Sequence, residues 1–397
     1  MTSINSHFQP ITNGTLRRLY LPRTSRSSSF LWWTLWVRKW AINIHTYSSR
    51  ILRLLDPRRL WGKAPPPPTP WPIAPKGPQV WDFPPPAKSV NRLLEPGQER
   101  ACGSWKNEET GWVMFTIAPR VDCVGPNGVR RTVLYFHGSG FLHPINNLHW
   151  GFAGYLSRWL EAEVVVVPYP LGPNNPGPEW RPQLLSVYRE FLARAGDKEV
   201  ILVGDSAGAM ICLGLAHDLY TSNIPLPHQI VVISVPTELR LSEREAMLAI
   251  EPYDNILTVE YCHLAMHIYA GIPVSPSASE AGLIHAIPIP DEVALNPAYS
   301  PKNGDPSIFR EAGTKLIVVN GEWDVLYPNA EAYVEKLAAA DVDVTYIVGQ
   351  QQCHIWPTML GLTPEARMAA DTIIKAIVAN GGSYSKGSWS GEAREKS

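Results

Sequence analysis

An α/β architecture, a mostly parallel sheet with helices on both faces, is predicted by three observations on this 397-residue sequence. From about residue 111, short runs of β-branched and aliphatic residues alternate with helical patterns. The strand runs are apolar throughout, not at every second position, as strands covered on both faces must be. One of them, "KEVILVGD", runs straight into "SAGAM", so the chain passes sharply from strand to helix between two glycines.

The elements follow in order. "WVMFTIAP" and "RTVLYFHG" read as strands, then a helix over 150–160, the strand "EVVVVPYP" and a helix over 183–195. "KEVILVGD" is the next strand, with a helix over 207–220 and the strand "QIVVISVP" after it. "TKLIVVNGE", a helix over 329–340, "DVTYIVG" and a helix over 364–379 complete the series. Residues 237–300 break the rhythm with helical pieces, prolines and aromatics, as a cap inserted over the sheet's C-terminal edge would. Residues 381–397 are a polar tail.

Ahead of this body the composition changes. Residues 1–63 carry nine Arg and two Lys against the single acid Asp56, a local charge of +10 that leaves −11 on the remainder. The run "FLWWTLWVRKW" is interrupted by Arg38 and Lys39 and is too short to span a bilayer. An interfacial helix over residues 30–61, with Trp at the headgroup level and Arg near anionic lipid, is the first reading. A mitochondrial transit peptide and a helix packed on the body are the alternatives. Residues 64–110 begin with eleven prolines in the twenty-two positions 65–86, so they should form an extended linker or surface strap.

At 45% hydrophobic and 18% charged residues the chain is globular, and a net charge of −1 gives no reason to expect a nucleic-acid partner. Its five cysteines form no CxxC pair and are odd in number, which argues for a reducing, intracellular compartment. No signal-peptide order of basic start, apolar core and small-residue cleavage site is seen.

A serine hydroxyl attacks a carbonyl at neutral pH only with a histidine base, an acid to orient that base, and donors for the oxyanion. In an α/β-hydrolase fold these occur in the order Ser, acid, His, each after a strand. Ser206 sits in "GDSAG", Asp324 in "VVNGEWDVLYP" and His354 in "YIVGQQQCHIWP", each just past a predicted strand. Glu322, two residues from Asp324, is a rival for the acid. The loop "HGSGF" supplies Gly138, Ser139 and Gly140 for an oxyanion hole, with the amide of Ala207 as a further donor, and His137 as a loop-bracing residue. His263 and His267 are spaced i, i+4, but no HExxH glutamate lies between them, so neither a metal nor a cofactor is called for.

Over about residues 111–380 the sequence resembles the hormone-sensitive-lipase-like branch of the α/β-hydrolases, carboxylesterases with an HGGG motif and a GDSAG elbow. The resemblance rests on "HGSGF", "GDSAG", "NPAYSP", "GEWDVLYPNAEAYVEKL" and "CHIWP". It implies Ser206 as nucleophile, Asp324 in preference to Glu322 as acid, and His354 as base. Ser139 stands where the family usually has Gly; a positive φ there would strain a serine. The activity implied is hydrolysis of an apolar small-molecule or lipid ester through an acyl-enzyme. Acyl transfer, a cyclising or dehydrating reaction, and non-catalytic ligand binding are the alternatives on the same fold.

Overall fold

The computed structural model describes residues 9–10, 15–23, 87–120, 124–275, 278 and 282–381. The expected interfacial segment at 30–61 and residues 64–86 of the expected linker lie outside them. Among the described residues no helix is long and apolar enough to cross a membrane.

The described residues form one ten-stranded sheet with helices on both faces. Its strands are β1 (Gln9–Pro10), β2 (Leu16–Leu21), β3 (Ala101–Lys106), β4 (Val113–Ala118) and β5 (Arg131–Phe136). They continue as β6 (Glu163–Val167), β7 (Glu199–Asp205), β8 (Gln229–Ile233), β9 (Lys315–Gly321) and β10 (Val344–Gly349). The order across the sheet is β1-β2-β10-β9-β8-β7-β5-β6-β4-β3. From β2 to β6 every pairing is parallel, and the antiparallel pairs lie at the two edges.

The inner strands are apolar at every position because both faces are covered. In β7, Val200 and Leu202 face one core cluster, while Ile201 and Val203 face the other. The first cluster takes in helices α2 (Leu184–Ala195), α3 (Ala207–Thr221) and α6 (Tyr327–Ala339). The second takes in α1 (Asn147–Leu160) and α7 (Pro364–Asn380). Between β8 and β9 the segment expected as a cap carries α4 (Arg244–Ile250) and α5 (Val259–Tyr269). Leu264 and Ile268 of α5 pack on Leu142, beside the "HGSGF" loop.

The expected start of the body near residue 111 falls too late. The strand Ala101–Lys106 already pairs with Val113–Ala118. Leu16–Leu21, read as part of the basic head, lies parallel to β10 in the register Val344 with Leu16. Its side chains explain how so basic a segment joins the sheet. Leu16 faces one core cluster and Leu19 and Leu21 the other, while Arg17 and Arg18 pair with Asp343 and Glu331, each at 2.6 Å. A strand next to the sheet's edge, paired on its outer side with β1 only at Arg17 and Arg18, needs only partial burial, so its arginines are compatible with the sheet.

Candidate active site

Strand β7 delivers Ser206 to the start of α3 on a strained backbone, with φ 51° and ψ −119°. Such a conformation for a non-glycine residue stores about 1–3 kcal/mol and persists only where the surroundings enforce it. The flanking glycines show how. A Cβ on Gly208 would lie 1.9 Å from the carbonyl oxygen of Phe136, and one on Gly204 would lie 2.4 Å from that of Gly208. Strand and helix therefore cross without intervening side chains, and the serine is left at the apex.

His354, past the end of β10, places Nε2 2.9 Å from Ser206 Oγ. Its Nδ1 lies 3.0 Å from Oδ1 of Asp324, past the end of β9. The imidazole thus carries its proton on Nδ1, donates it to the carboxylate, and accepts from the serine hydroxyl. Asp324 is wholly buried and His354 nearly so. Burial alone would lower the histidine's pKa, but Asp324 beside it, with Asp254 and Asp205 farther off, holds it above the ordinary value. Glu322 turns away: its Oε2 accepts from the N–H of Gln351 at 3.1 Å. Cys353 faces the same buried acids, and burial pushes its thiol pKa far up, so it stays an unreactive thiol.

The "HGSGF" loop follows β5. Ser139, Gly140 and Phe141 all have positive φ, at 87°, 63° and 62°, so the strain anticipated for a serine at 139 is present. At Gly140 a Cβ would lie 2.6 Å from the hydroxyl oxygen of Tyr261, which roofs the loop from α5. Of the four expected oxyanion donors, Gly138 is a correction. Its N–H is already spent on Oδ2 of Asp205 at 3.1 Å, because a buried carboxylate without partners is far costlier than one hydrogen-bonded. Ser139, Gly140 and Ala207 remain as candidate donors.

Asp205 escaped the sequence reading although it lies inside "GDSAG". Besides Gly138 it accepts from the Tyr135 hydroxyl at 2.6 Å, and His149 Nε2 stands 3.2 Å from Oδ2. The N–H of Asn146 donates to His149 Nδ1, so the ring proton is on Nε2, facing the carboxylate. Burial would raise the pKa of Asp205, but these partners hold it below its ordinary value. His137 is buried, and its Nδ1 meets the carbonyl of Gly138 at 2.8 Å while its ring stacks on Tyr169 at 4.6 Å. Burial, then His149, press its pKa down to about 3, so it is a neutral donor within the loop.

Among the described residues no group of three or more His, Cys, Asp or Glu could hold a metal. Both ring nitrogens of His267 face carbonyl oxygens, those of His263 and Ile287 at 2.7 and 2.8 Å, and neither is free for a cation.

A family model described as alpha/beta hydrolase fold matches residues 133–358. The chain belongs to the α/β-hydrolase fold family. Among curated members, this hydrolase is 24% identical over 241 residues to an esterase of Acinetobacter venetianus, covering 60% of this chain and 71% of that one. It is 28% identical over 280 residues to the carboxylesterase/phospholipase LipF of Mycobacterium tuberculosis, covering 67% and 69%. Among solved hydrolases, an esterase from the bacterial hormone-sensitive lipase family superposes with a TM-score of 0.58 at 21% identity, covering 74% of this chain and 88% of that one. That likeness is one of fold.

Proposed function

We propose that the protein is a serine carboxylic-ester hydrolase that works through an acyl-enzyme, with Ser206 as nucleophile, His354 as general base and Asp324 as its orienting acid. The observation that carries this is the continuous buried chain from Ser206 Oγ through His354, at 2.9 and 3.0 Å, to Asp324. His354 takes the hydroxyl proton as Ser206 attacks the ester carbonyl, and Asp324 stabilises the imidazolium that forms. The N–H groups of Ser139, Gly140 and Ala207 receive the oxyanion. Collapse of the tetrahedral intermediate breaks the bond to the leaving alcohol, which takes the proton back from His354. Water, deprotonated by the same histidine, then attacks the acyl-enzyme and releases the acid. The curated relatives named as esterases support the same reaction.

The segment over residues 237–300 acts as the cap, and the substrate is an apolar ester. Phe141 of the oxyanion loop stacks on Tyr269 of α5 at 3.8 Å, so the wall between loop and cap is aromatic. The test is intact-protein mass after exposure to a fluorophosphonate, with short and medium p-nitrophenyl esters assayed in parallel. One probe equivalent and ester turnover are expected, both lost in Ser206→Ala. A folded parent that neither labels nor turns over sinks the proposal.

A further inference from the structure

Asp254 lies in the cap segment ahead of α5, and its side chain has no exposed surface. Its Oδ1 accepts from the N–H groups of Ile256 and Leu257 at 2.9 and 3.3 Å, closing the turn that leads to the Thr258 N-cap. Its Oδ2 accepts from the N–H of Val325 at 3.0 Å, the residue next to Asp324. One carboxylate therefore joins the entry of a cap helix to the loop that carries the acid. An apolar side chain there would leave these three N–H groups unpaired, and a neutral amide could accept through one oxygen only. An ionised group so deep is costly unless its charge is used.

We propose that Asp254 is a positioning residue of the proposed hydrolase site: it ties the Asp324 loop to the cap and adds a second negative charge that supports the imidazolium of His354. This rests on the serine-hydrolase reading above. The groups that face Asp254 are Asp324 and His354, with Cys262 and Cys353, whose thiols are held protonated by burial first and by the charges of Asp254 and Asp324 after it. Burial, then Asp324, push its pKa up to about 6, while His354 pulls it down. The same pair of carboxylates raises His354. As the pH falls toward 6 the second charge is therefore lost, and with it part of the support for His354.

A purely structural Asp254 would alter melting or turnover without moving the pH at which activity is lost, so the pH profile separates the two roles. Profiles of kcat/KM would be measured for the parent, Asp254→Asn and Asp254→Glu, read at the isosbestic wavelength of p-nitrophenol. Fluorophosphonate labelling and thermal melts would be run on the same preparations. Asp254→Asn is expected to lower the plateau about tenfold and to move the acid limb to lower pH by roughly half a unit or more, since His354 loses a neighbouring charge. Asp254→Glu keeps the charge and is expected to keep the limb near that of the parent. A folded, labelled Asp254→Asn whose limb superimposes on the parent's overturns the proposal. So does an Asp254→Glu limb that coincides with that of Asp254→Asn after a shift. Asp254→Ser, small enough to admit water to the vacated acceptor positions, takes the same place in the comparison where the asparagine does not fold. Absence of labelling in the parent would instead refute the underlying hydrolase reading.

Discussion

Replacing Asp205 by Asn exchanges one of two buried carboxylate oxygens for an amide NH2 while keeping the shape. The carboxylate accepts from Gly138 N–H and from the Tyr135 hydroxyl, at 3.1 and 2.6 Å, and faces His149 Nε2 at 3.2 Å. An asparagine can accept from only one side. Orienting its oxygen to Tyr135 sets NH2 against Gly138 N–H and the Nε2 proton of His149. Hydrogen bonds to charged groups contribute about 1.5–3 kcal/mol each, and an orphaned buried donor costs about 1–3 kcal/mol, so a loss of about 2–4 kcal/mol is expected. For a body of this size that is a fall in Tm of roughly 3–7 °C. The rate should fall as well, because Gly138 anchors the loop whose next two residues are the proposed oxyanion donors. Misplacing one such donor costs roughly 10²–10³ in kcat. The pKa of Asp205 is held below its ordinary value, so its stabilisation is present above pH 3.8 and is lost as the pH falls through the folded value. The melting difference between parent and Asp205→Asn should therefore persist at neutral pH and shrink only in strong acid. Differential scanning calorimetry and p-nitrophenyl ester kinetics measure both quantities. A variant within 1–2 °C of the parent with unchanged kcat would refute the view that this carboxylate holds the loop.

Asp324→Asn is expected to reduce kcat roughly 10³–10⁴-fold, as loss of the orienting acid does in other serine hydrolases, while Glu322→Gln stays within about twofold. The reverse ranking would make Glu322 the acid. The raised pKa of His354 puts the acid limb of kcat/KM above the ordinary histidine value of 6.5, because the base must be neutral to accept the serine proton. That neighbour-stabilised charge favours the fold below the unfolded value and is withdrawn as pH rises through the folded one, opposite in sense to the activity. A limb at or below 6.5 would contradict the assignment. Ser139→Gly relieves the strain of a φ of 87° and is expected to raise stability by up to about 1 kcal/mol, after the unfolded-state entropy of glycine is deducted, with activity retained. A loss of more than about 1 kcal/mol on chemical denaturation would show that the serine hydroxyl makes a needed contact.

The relay was legible because the fold puts chemistry at strand ends, and strand ends are marked in sequence by apolar runs that stop at Gly, Asp or Gln. Ser206, Asp324 and His354 each follow such a run, so their approach across more than a hundred residues could be anticipated from order alone. The strain at Ser139 was legible as a conditional, since any residue there would meet the turn its glycine neighbours prescribe.

What stayed hidden depends on contacts that no local pattern encodes. Leu16–Leu21 holds two arginines in six residues and becomes a strand only because β10 offers an unpaired edge and Asp343 and Glu331 stand opposite those side chains. The sequence by itself determined the alternation of elements, the elbow and the order of the three relay residues, because periodicity and small residues constrain the backbone locally. The tertiary structure alone decided that the N–H of Gly138 is bound to Asp205, that Glu322 turns to Gln351, and that Asp254 reaches Val325 from the segment between β8 and β9. A buried charge takes whichever donors the packing brings within 3 Å or so, and that choice is made only when distant segments meet.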